Sequence, residues 1–414
     1  MNTYILNLLV IGLLLLVVTL GSDWISSRLP LSFALIYLVV GIGLGPYGFG
    51  LIELRPDTEF IERLAEFVVI ISVFGCGLKM NRPLKFQDWQ TTARLIGFLL
   101  PLSILAVAAS GHWLLGLGWG SAILLGSILA PTDPVLASEV QLGEVKDKDE
   151  LRFGLTSEGG FNDSLAFPFV YFGLYAIKDN NWENWLRQWL IIDLIWAIIA
   201  ALVMGIVVAK SVIWIDERFQ RFHPINEMME DFIALSTVLL TYSLTELVNG
   251  YGFLAVFVAG FVVQRKYYAN QKKRLAQLEF IEQIEKLLEV ATILLLGSLL
   301  LVEPILKYGT QGLLVAGLLI FLIRPIGVLL SFLGSNLPTK THLLFGWFGI
   351  RGIGSLYYLT YAMGQGLEGE VAEQLAWITY IVVVSSVILH GISATPLMSW
   401  YEKKGVGGDG EMGS

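Results

Sequence analysis

The chain has 414 residues, of which 55% are hydrophobic and 15% are charged. Soluble domains usually carry about 25% charged residues, so this composition excludes a large soluble domain, and we expect no nucleic-acid partner. The net charge of -8 at pH 7 does not by itself indicate a partner. The single cysteine, Cys76, excludes an intrachain disulfide.

Thirteen apolar runs predict transmembrane helices, because each has roughly the 17–25 residues that cross about 30 Å of hydrocarbon. In chain order they lie near 4–20, 31–46, 59–80, 92–110, 119–140, 152–176, 186–212, 230–247, 250–265, 288–302, 310–333, 341–363 and 374–400. The first run lacks a basic flank and a small-residue cleavage site, so we expect a membrane helix rather than a signal peptide. Residues 1–400 are therefore predicted to form a single all-α transmembrane domain.

The loops predict the orientation of these helices. Lys and Arg concentrate in the loops on one side of the membrane, which is expected to be the cytoplasmic side. This places the N-terminus outside and the C-terminus in the cytoplasm. We expect the membrane to be the inner or plasma membrane of the cell. The segment 267–287 is expected to be an amphipathic helix on the cytoplasmic surface. Its apolar residues at helical spacing are Leu275, Leu278, Ile281 and Ile284. Residues 401–414 are expected to form a short disordered tail.

The fifth run, SAILLGSILAPTDPVLASEV, carries two prolines that flank Thr132 and Asp133. Pro131 and Pro134 each remove a backbone donor and disfavour helical dihedrals in the preceding residue, so we expect the helix to break. A break inside the membrane frees carbonyl oxygens and half-helix ends that can hold an ion. The alternative is a kink with an incidental aspartate.

The sixth run, LTSEGGFNDSLAFPFVYF, places Glu158, Asn162 and Asp163 within two turns of helix. Buried carboxylates at Asp163 and Asp133 would repel each other unless a cation or a proton compensates their charge. Such a pair satisfies the physical requirement for exchanging a metal ion against a proton. The alternative is a structural cluster of salt bridges, because such clusters also perturb the pKa values of their carboxylates.

Two arginines lie inside later runs. Arg324 precedes a proline in the eleventh run and needs a fixed anion, for which Glu158 is the natural candidate. Arg351 lies among four glycines in the twelfth run and is either part of the site or a terminal charge that reaches the membrane surface. Glu246 and His390 are as consistent with packing as with function.

Together these motifs resemble the monovalent cation:proton antiporters of the NhaP and sodium/proton exchanger branch. The resemblance rests on Thr132-Asp133-Pro134 and on the Glu158 to Asp163 motif EGGFND, one run apart. Arg324-Pro325, the GIRGIG run that begins at Gly349, and Glu246 ahead of GFLAVFVAGF also fit. The resemblance covers essentially the whole chain.

The resemblance implies two inverted six-helix repeats around a linking seventh span, with the fifth and twelfth spans broken and crossed near the midplane. It also implies a homodimer with a dimerisation part and a moving ion-binding core. Asp163 would bind the cation or the proton in turn, and Asp133 and Thr132 would add metal ligands. Glu158 and Arg324, with Asn162, would form a supporting ion-pair network. No cofactor is expected beyond the transported cation and proton in the lipid bilayer.

Two departures from the family pattern leave the selectivity open. Gly159 stands where many relatives have a serine, so a hydroxyl ligand is missing. Ser157 or Ser164 could substitute for it, although a helix cannot place either hydroxyl identically. Many relatives also carry an acidic residue in the third span, where this chain reads FGCG at 74–77. Both departures predict fewer oxygen ligands.

We therefore predict a transporter, not an enzyme, that exchanges Na⁺ for H⁺. Relatives with paired aspartates tend to be electrogenic, so Asn162 ahead of Asp163 predicts electroneutral exchange. The alternatives on the same fold are K⁺/H⁺ exchange and sodium-coupled uptake of an organic anion. From a different class, Asp133 and Asp163 could form an intramembrane aspartyl protease, although the GxGD signature is absent. A channel is a further alternative, but no pore-loop filter motif is visible.

Overall fold

The computed structural model describes residues 33–52, 59–134, 136–137, 140–142, 147–179, 181–222, 227–266 and 271–403, with isolated positions between 5 and 16. Every regular element within these ranges is a helix, as predicted. The predicted run near 4–20 lies almost wholly outside the described residues, as does the tail beyond residue 403.

Fourteen helical segments follow one another along the described chain. They are α1 (Phe33–Leu44), α2 (Glu59–Lys79), α3 (Phe86–Leu115), α4 (Trp119–Leu129), α5 (Glu150–Leu165), α6 (Phe167–Lys178), α7 (Trp182–Gln220), α8 (Glu227–Leu247), α9 (Gly252–Lys266), α10 (Gln271–Ser298), α11 (Val302–Ser331), α12 (Thr339–Trp347), α13 (Ile353–Gly364) and α14 (Gly369–Lys403). Only Ala166 separates α5 from α6. By length and apolar composition, α3, α7, α11 and α14 could each cross a membrane.

Local sequence explains where several helices begin and end. The Asp149 side chain accepts the N–H of Arg152 and caps α5, and Asn181 caps α7 through the N–H of Glu183. Gly116 ends α3 with φ of 72°, a left-handed conformation that glycine adopts without strain. Because each of these turns is set by a polar or glycine residue, the long apolar helices have defined ends.

Glycines allow α2 and α9 to pack with their backbones in contact. A Cβ atom placed on Gly77 would lie 2.3 Å from the carbonyl oxygen of Phe257, and one on Gly260 would lie 2.5 Å from that of Phe74. Close approach through small residues is a common way for helices to associate in membranes. This packing holds α2 beside α9 and presents its other face to α5 and α10.

The predicted surface helix 267–287 and the predicted span 288–302 form one helix, α10, over their described part. Within it, Leu278 and Ile281 are buried and Ile284 is partly buried. The two predicted segments are continuous because no proline or glycine interrupts the helical pattern before Gly297, and the helix packs on α2. The location of 267–287 at the cytoplasmic surface stays a prediction.

Two predicted spans are broken as the proline and glycine patterns indicate. In the fifth run the helix stops at the end of α4, and the described residues from 130 to 134 are not helical. In the twelfth run, residues 348–352 separate α12 from α13. The two breaks lie against each other and form the candidate site.

Candidate ion-binding site

The two breaks cross and are joined by hydrogen bonds. The backbone N–H of Asp133 donates to the carbonyl oxygen of Ile350 at 2.8 Å. The Nη1 of Arg351 donates to the carbonyl oxygens of Ala130 and, at 2.9 Å, of Pro131. The prediction of crossed discontinuous helices is confirmed, because each break supplies partners for the backbone groups of the other.

Arg351 is buried at the crossing, with 1% of its surface exposed. The alternative that it is a terminal charge reaching the membrane surface is therefore wrong. Its guanidinium lies at the C-terminal end of α4, where the carbonyl oxygens lack helical partners and the helix dipole is negative. Its backbone N–H donates to the Ser386 hydroxyl at 2.8 Å, so α14 also holds this break in place.

Asp133 is committed to backbone donors. Its Oδ2 accepts the N–H of Ile353 at the start of α13, and its Oδ1 accepts the N–H of Leu136 at 3.2 Å. A Cβ atom on Gly352 would lie 2.3 Å from Oδ2, so only glycine leaves room for this carboxylate. Backbone N–H groups and a helix N-terminus are both favourable partners for a carboxylate, so both oxygens of Asp133 are satisfied by the protein.

Asp163 is treated differently. It is 1% exposed, and neither carboxylate oxygen has a hydrogen-bond partner among the described residues. A Cβ atom on Gly354 would lie 2.7 Å from Oδ1, so the carboxylate faces the backbone of α13. The Tyr358 hydroxyl donates to the backbone carbonyl of Asp163 and also lies within interaction range of its carboxylate. A buried carboxylate without donors is costly unless a proton or a cation neutralises it.

Thr132 and Asn162 connect the first break to α5. The Nδ2 of Asn162 donates to the Thr132 hydroxyl at 2.7 Å, and both side chains are buried. The Oδ1 of Asn162 has no partner in the described part of the chain. The amide therefore places Asp163, the next residue, beside the crossing while adding no charge.

Glu158 and Arg324 form the ion pair that the sequence suggested. Nη1 and Nη2 of Arg324 donate to the two carboxylate oxygens of Glu158 at 2.7 and 2.8 Å. Arg324 also donates to the carbonyl oxygens of Phe345 and Phe348, at 3.0 and 2.7 Å. The pair is nearly inaccessible to solvent and joins α5 and α11 to the second break. A Cβ on Gly349 would overlap the arginine side chain, which explains that glycine.

The hydrogen bonds of the remaining predicted residues are made with other parts of the protein than the two aspartates. The Ser157 hydroxyl lies 2.7 Å from that of Thr92 and donates to Gly154, so it faces α3. Ser164 is buried, and its hydroxyl has no partner among the residues described. Glu246 accepts the N–H of Gly252 at 2.9 Å and caps α9.

Gly159 has a packing reason. A Cβ atom there would lie 3.0 Å from the Cβ of Pro134, so a serine at this position would press on the first break. His390 contacts the carbonyl oxygen of Trp347 at 2.9 Å and supports the second break from α14. Sequence analysis missed the roles of Ile353, Gly352 and Gly354, although the glycine spacing around Arg351 marked the segment.

Comparison with known proteins identifies the family to which this arrangement belongs. Residues 12–400 match the family described as sodium/hydrogen exchanger, transmembrane. The chain is 27% identical over 405 residues to the K⁺/H⁺ antiporter NhaP of Alkalimonas amylolytica, covering 95% of this chain and 67% of that protein. It is 26% identical over 391 residues to the K⁺/H⁺ antiporter NhaP2 of Shewanella oneidensis, covering 93% and 65%. The chain thus spans about two thirds of the length of these curated relatives.

The fold is also that of a solved transporter. The structure of the sodium proton antiporter MjNhaP1 from Methanocaldococcus jannaschii at pH 8 matches with a TM-score of 0.73 and 25% sequence identity, over 94% of this chain and 98% of that one. The family match covers nearly every described helix and both breaks. The chain is therefore a multi-pass membrane protein that belongs to the sodium/hydrogen exchanger family.

Proposed function

We propose that this chain is an antiporter that exchanges a monovalent cation, Na⁺, for a proton at Asp163. The observation that carries the proposal is the contrast between the two buried aspartates. Asp133 accepts two backbone N–H groups, whereas the carboxylate of Asp163 has no donor among the described residues. Asp163 is therefore the carboxylate that needs a mobile positive partner.

Competition at one carboxylate is enough to couple the two ions. Burial disfavours the bare charge, so a proton or a cation must occupy Asp163, and each excludes the other. An oxygen of Asp133 and the carbonyl oxygen of Thr132 are the further ligands we propose for the metal. Asn162 positions Asp163, and the Glu158–Arg324 pair holds α5 to the second break.

The proposed stoichiometry is one cation for one proton, without net charge movement. It rests on Asn162, a neutral residue beside Asp163, because only one carboxylate of the pair then gains and loses a proton. K⁺/H⁺ exchange is the second candidate, and it is favoured because the two bacterial relatives are K⁺/H⁺ antiporters.

The assembly and its setting are further parts of the proposal. We infer a homodimer in the inner or plasma membrane, with the N-terminus outside, two inverted repeats, and separate dimerisation and ion-binding parts. The exposed apolar side chains along α7 and α11 support contact with lipid or a second copy. Native mass spectrometry from lipid nanodiscs measures the dimer, and a predominantly monomeric protein would contradict it.

The experiment is a cation panel in vesicles. Purified protein is reconstituted with an internal pH-sensitive dye, and Li⁺, Na⁺, K⁺ or choline is added outside over a range of pH. We expect a cation-dependent pH change with Na⁺, none with choline, and rates that fall when protons compete at low pH. The absence of any cation-dependent pH change would overturn the proposed function.

A voltage arm tests the stoichiometry. With both ions clamped, a potassium diffusion potential set by valinomycin should leave the Na⁺/H⁺ rate unchanged. An electrogenic step would feel about 2.3 kcal/mol per charge per 100 mV, so a steep voltage dependence would contradict one-for-one exchange.

A further inference from the structure

Helix α10 buries a carboxylate that the site above does not use. Glu285 is 7% exposed, although the sequence pattern placed it on a surface helix. Its Oε1 accepts a hydrogen bond from the Ser72 hydroxyl at 2.8 Å, and Ser72 is itself inaccessible to solvent. Glu285 therefore lies inside the protein, between α10 and α2.

The α2 backbone opens toward this carboxylate. A Cβ atom on Gly75 would lie 3.5 Å from Oε2 of Glu285 and 3.3 Å from Cγ2 of Ile281. Any larger side chain at this position would displace the carboxylate or the isoleucine. Gly75 thus leaves room for Glu285 against α2.

The same turn of α2 also touches α5. The Cβ of Cys76, which is four residues after Ser72 on the same face of α2, lies 3.2 Å from where a Cβ on Gly160 would be. Gly160 precedes Asp163 by three residues on the same helical face. Cys76 lies within electrostatic range of Glu285, Asp163 and Asp133. One turn of α2 therefore contacts α10 at Glu285 and α5 close to Asp163.

The charges around Glu285 are of both signs, and Lys79 is the nearest positive one in its effect. Those within electrostatic range are Lys79, Glu282, Cys76 and Asp133. Lys79 makes its ion pair with Glu282, at 3.1 Å between Nζ and Oε1. Its charge is thus shared, while Asp133 adds repulsion. A buried carboxylate in this setting favours binding a proton or a cation.

We propose that Glu285 is a second binding carboxylate for the transported cation and proton, connected to Asp163 along the Ser72 to Cys76 turn of α2. This inference rests on the proposed function, because it adds a station to the same pathway. The transported ion would bind at Ser72 and Glu285, near Lys79, either before or after it binds at Asp163.

The test compares Glu285→Gln with Glu282→Gln in the vesicle assay. We expect Glu285→Gln to raise the KM for the cation about tenfold while leaving the maximal rate within about twofold, because a binding oxygen is weakened but Asp163 remains. The matched control Glu282→Gln removes the more exposed carboxylate beside Lys79 and should leave the KM unchanged. A wild-type KM in Glu285→Gln for Li⁺, Na⁺ and K⁺ would overturn the inference.

A purely structural role makes a different prediction. If Glu285 only balances Lys79, the double variant Lys79→Gln/Glu285→Gln removes both charges and should restore the KM and the melting temperature. A binding role predicts that the KM stays high in the double variant. Restoration of the KM would therefore also overturn the inference.

Glu285→Asp keeps the charge on a shorter side chain and covers the case in which Glu285→Gln does not fold. We expect it to fold and to change the ratio of KM values among Li⁺, Na⁺ and K⁺, and unchanged ratios would contradict the inference. The outcome is separable from the proposed function, since a wild type without cation-dependent exchange refutes that function, whereas normal exchange with an inert Glu285 refutes only this station.

Discussion

Two carboxylates on α5, five residues apart, are buried to the same degree but have opposite surroundings. Glu158 has both oxygens bound by Arg324, whereas neither oxygen of Asp163 has a donor among the described residues. Breaking a buried ion pair leaves an unpaired buried charge, so we expect the pair between Glu158 and Arg324 to remain intact. In the proposed function, Asp163 is the carboxylate that binds the transported cation and the proton in turn. The comparison separates charges that hold the protein together from charges that do its work.

The largest expected effect is on transport through Asp163. We expect Asp163→Asn to reduce exchange below about 1% of wild type with a melting temperature near that of wild type, because no ion pair is broken. The vesicle assay and a thermal melt of the same sample check both parts. Asp216→Asn is the matched control, since Asp216 is a buried aspartate on α7 that accepts a hydrogen bond from Gln220. Retained exchange in Asp163→Asn would assign the wrong carboxylate.

The opposite outcome is expected at the ion pair. Arg324→Ala should destabilise the protein by about 3–5 kcal/mol, because it leaves Glu158 buried without its partner. The double variant Glu158→Gln/Arg324→Met removes both charges and should recover most of that loss. Melting curves measure the stability, and the KM of the surviving protein measures the site. A large change in KM with wild-type melting would reverse the roles assigned to the two carboxylates.

A smaller effect sharpens the description of the Asp163 pocket. Gly354→Ala adds a methyl group 2.7 Å from Oδ1 of Asp163, so it should raise the KM about tenfold, or about 1.4 kcal/mol. K⁺ should be affected more than Li⁺, because the larger ion needs more room. Gly317→Ala on α11 is the control, since a Cβ there meets nothing within 4 Å. Equal effects of the two alanines would show that the pocket is not beside Gly354.

The smallest expected effect is a change in the reactivity of the native cysteine. Cys76 is buried within electrostatic range of Glu285 and of both aspartates, so a small cationic methanethiosulfonate should reach it only when the pathway opens. We expect Na⁺ to slow its labelling several-fold compared with choline, as measured by mass spectrometry. Cys76→Ala supplies the unlabelled baseline. A labelling rate that is independent of Na⁺ would place Cys76 off the pathway.

The sequence predicted the charged parts of the site and missed most of its surroundings. Pro131 and Pro134 act on neighbouring residues, so the break after α4 could be inferred locally. Arg324 and Glu158 could be matched because a buried guanidinium must find an anion. The Ile353 donor to Asp133 could not be inferred, since it belongs to the backbone of a helix more than two hundred residues away.

The burial of Glu285 was unpredictable for a similar reason. Charged residues at helical spacing usually lie on a surface, and only the packing of α10 on Gly75 reverses this expectation. The sequence predicted a lost ligand at residues 74–77. The fold instead brings a carboxylate from α10 to that turn.

The hydrogen bonds at the crossing restrict how the protein can open. The N–H of Asp133 donates to the carbonyl oxygen of Ile350, and the Asp133 side chain accepts the N–H of Ile353. The Arg351 side chain donates to the backbone carbonyl oxygen of Pro131, just after α4. Separating the two segments would leave all of these groups without their hydrogen-bond partners in the protein interior, away from water. If the chain transports ions as proposed, we expect the two breaks to move together as one unit, so that a bound ion keeps the same ligands on both sides of the membrane. Transport would then change only the protein surface that faces the ion.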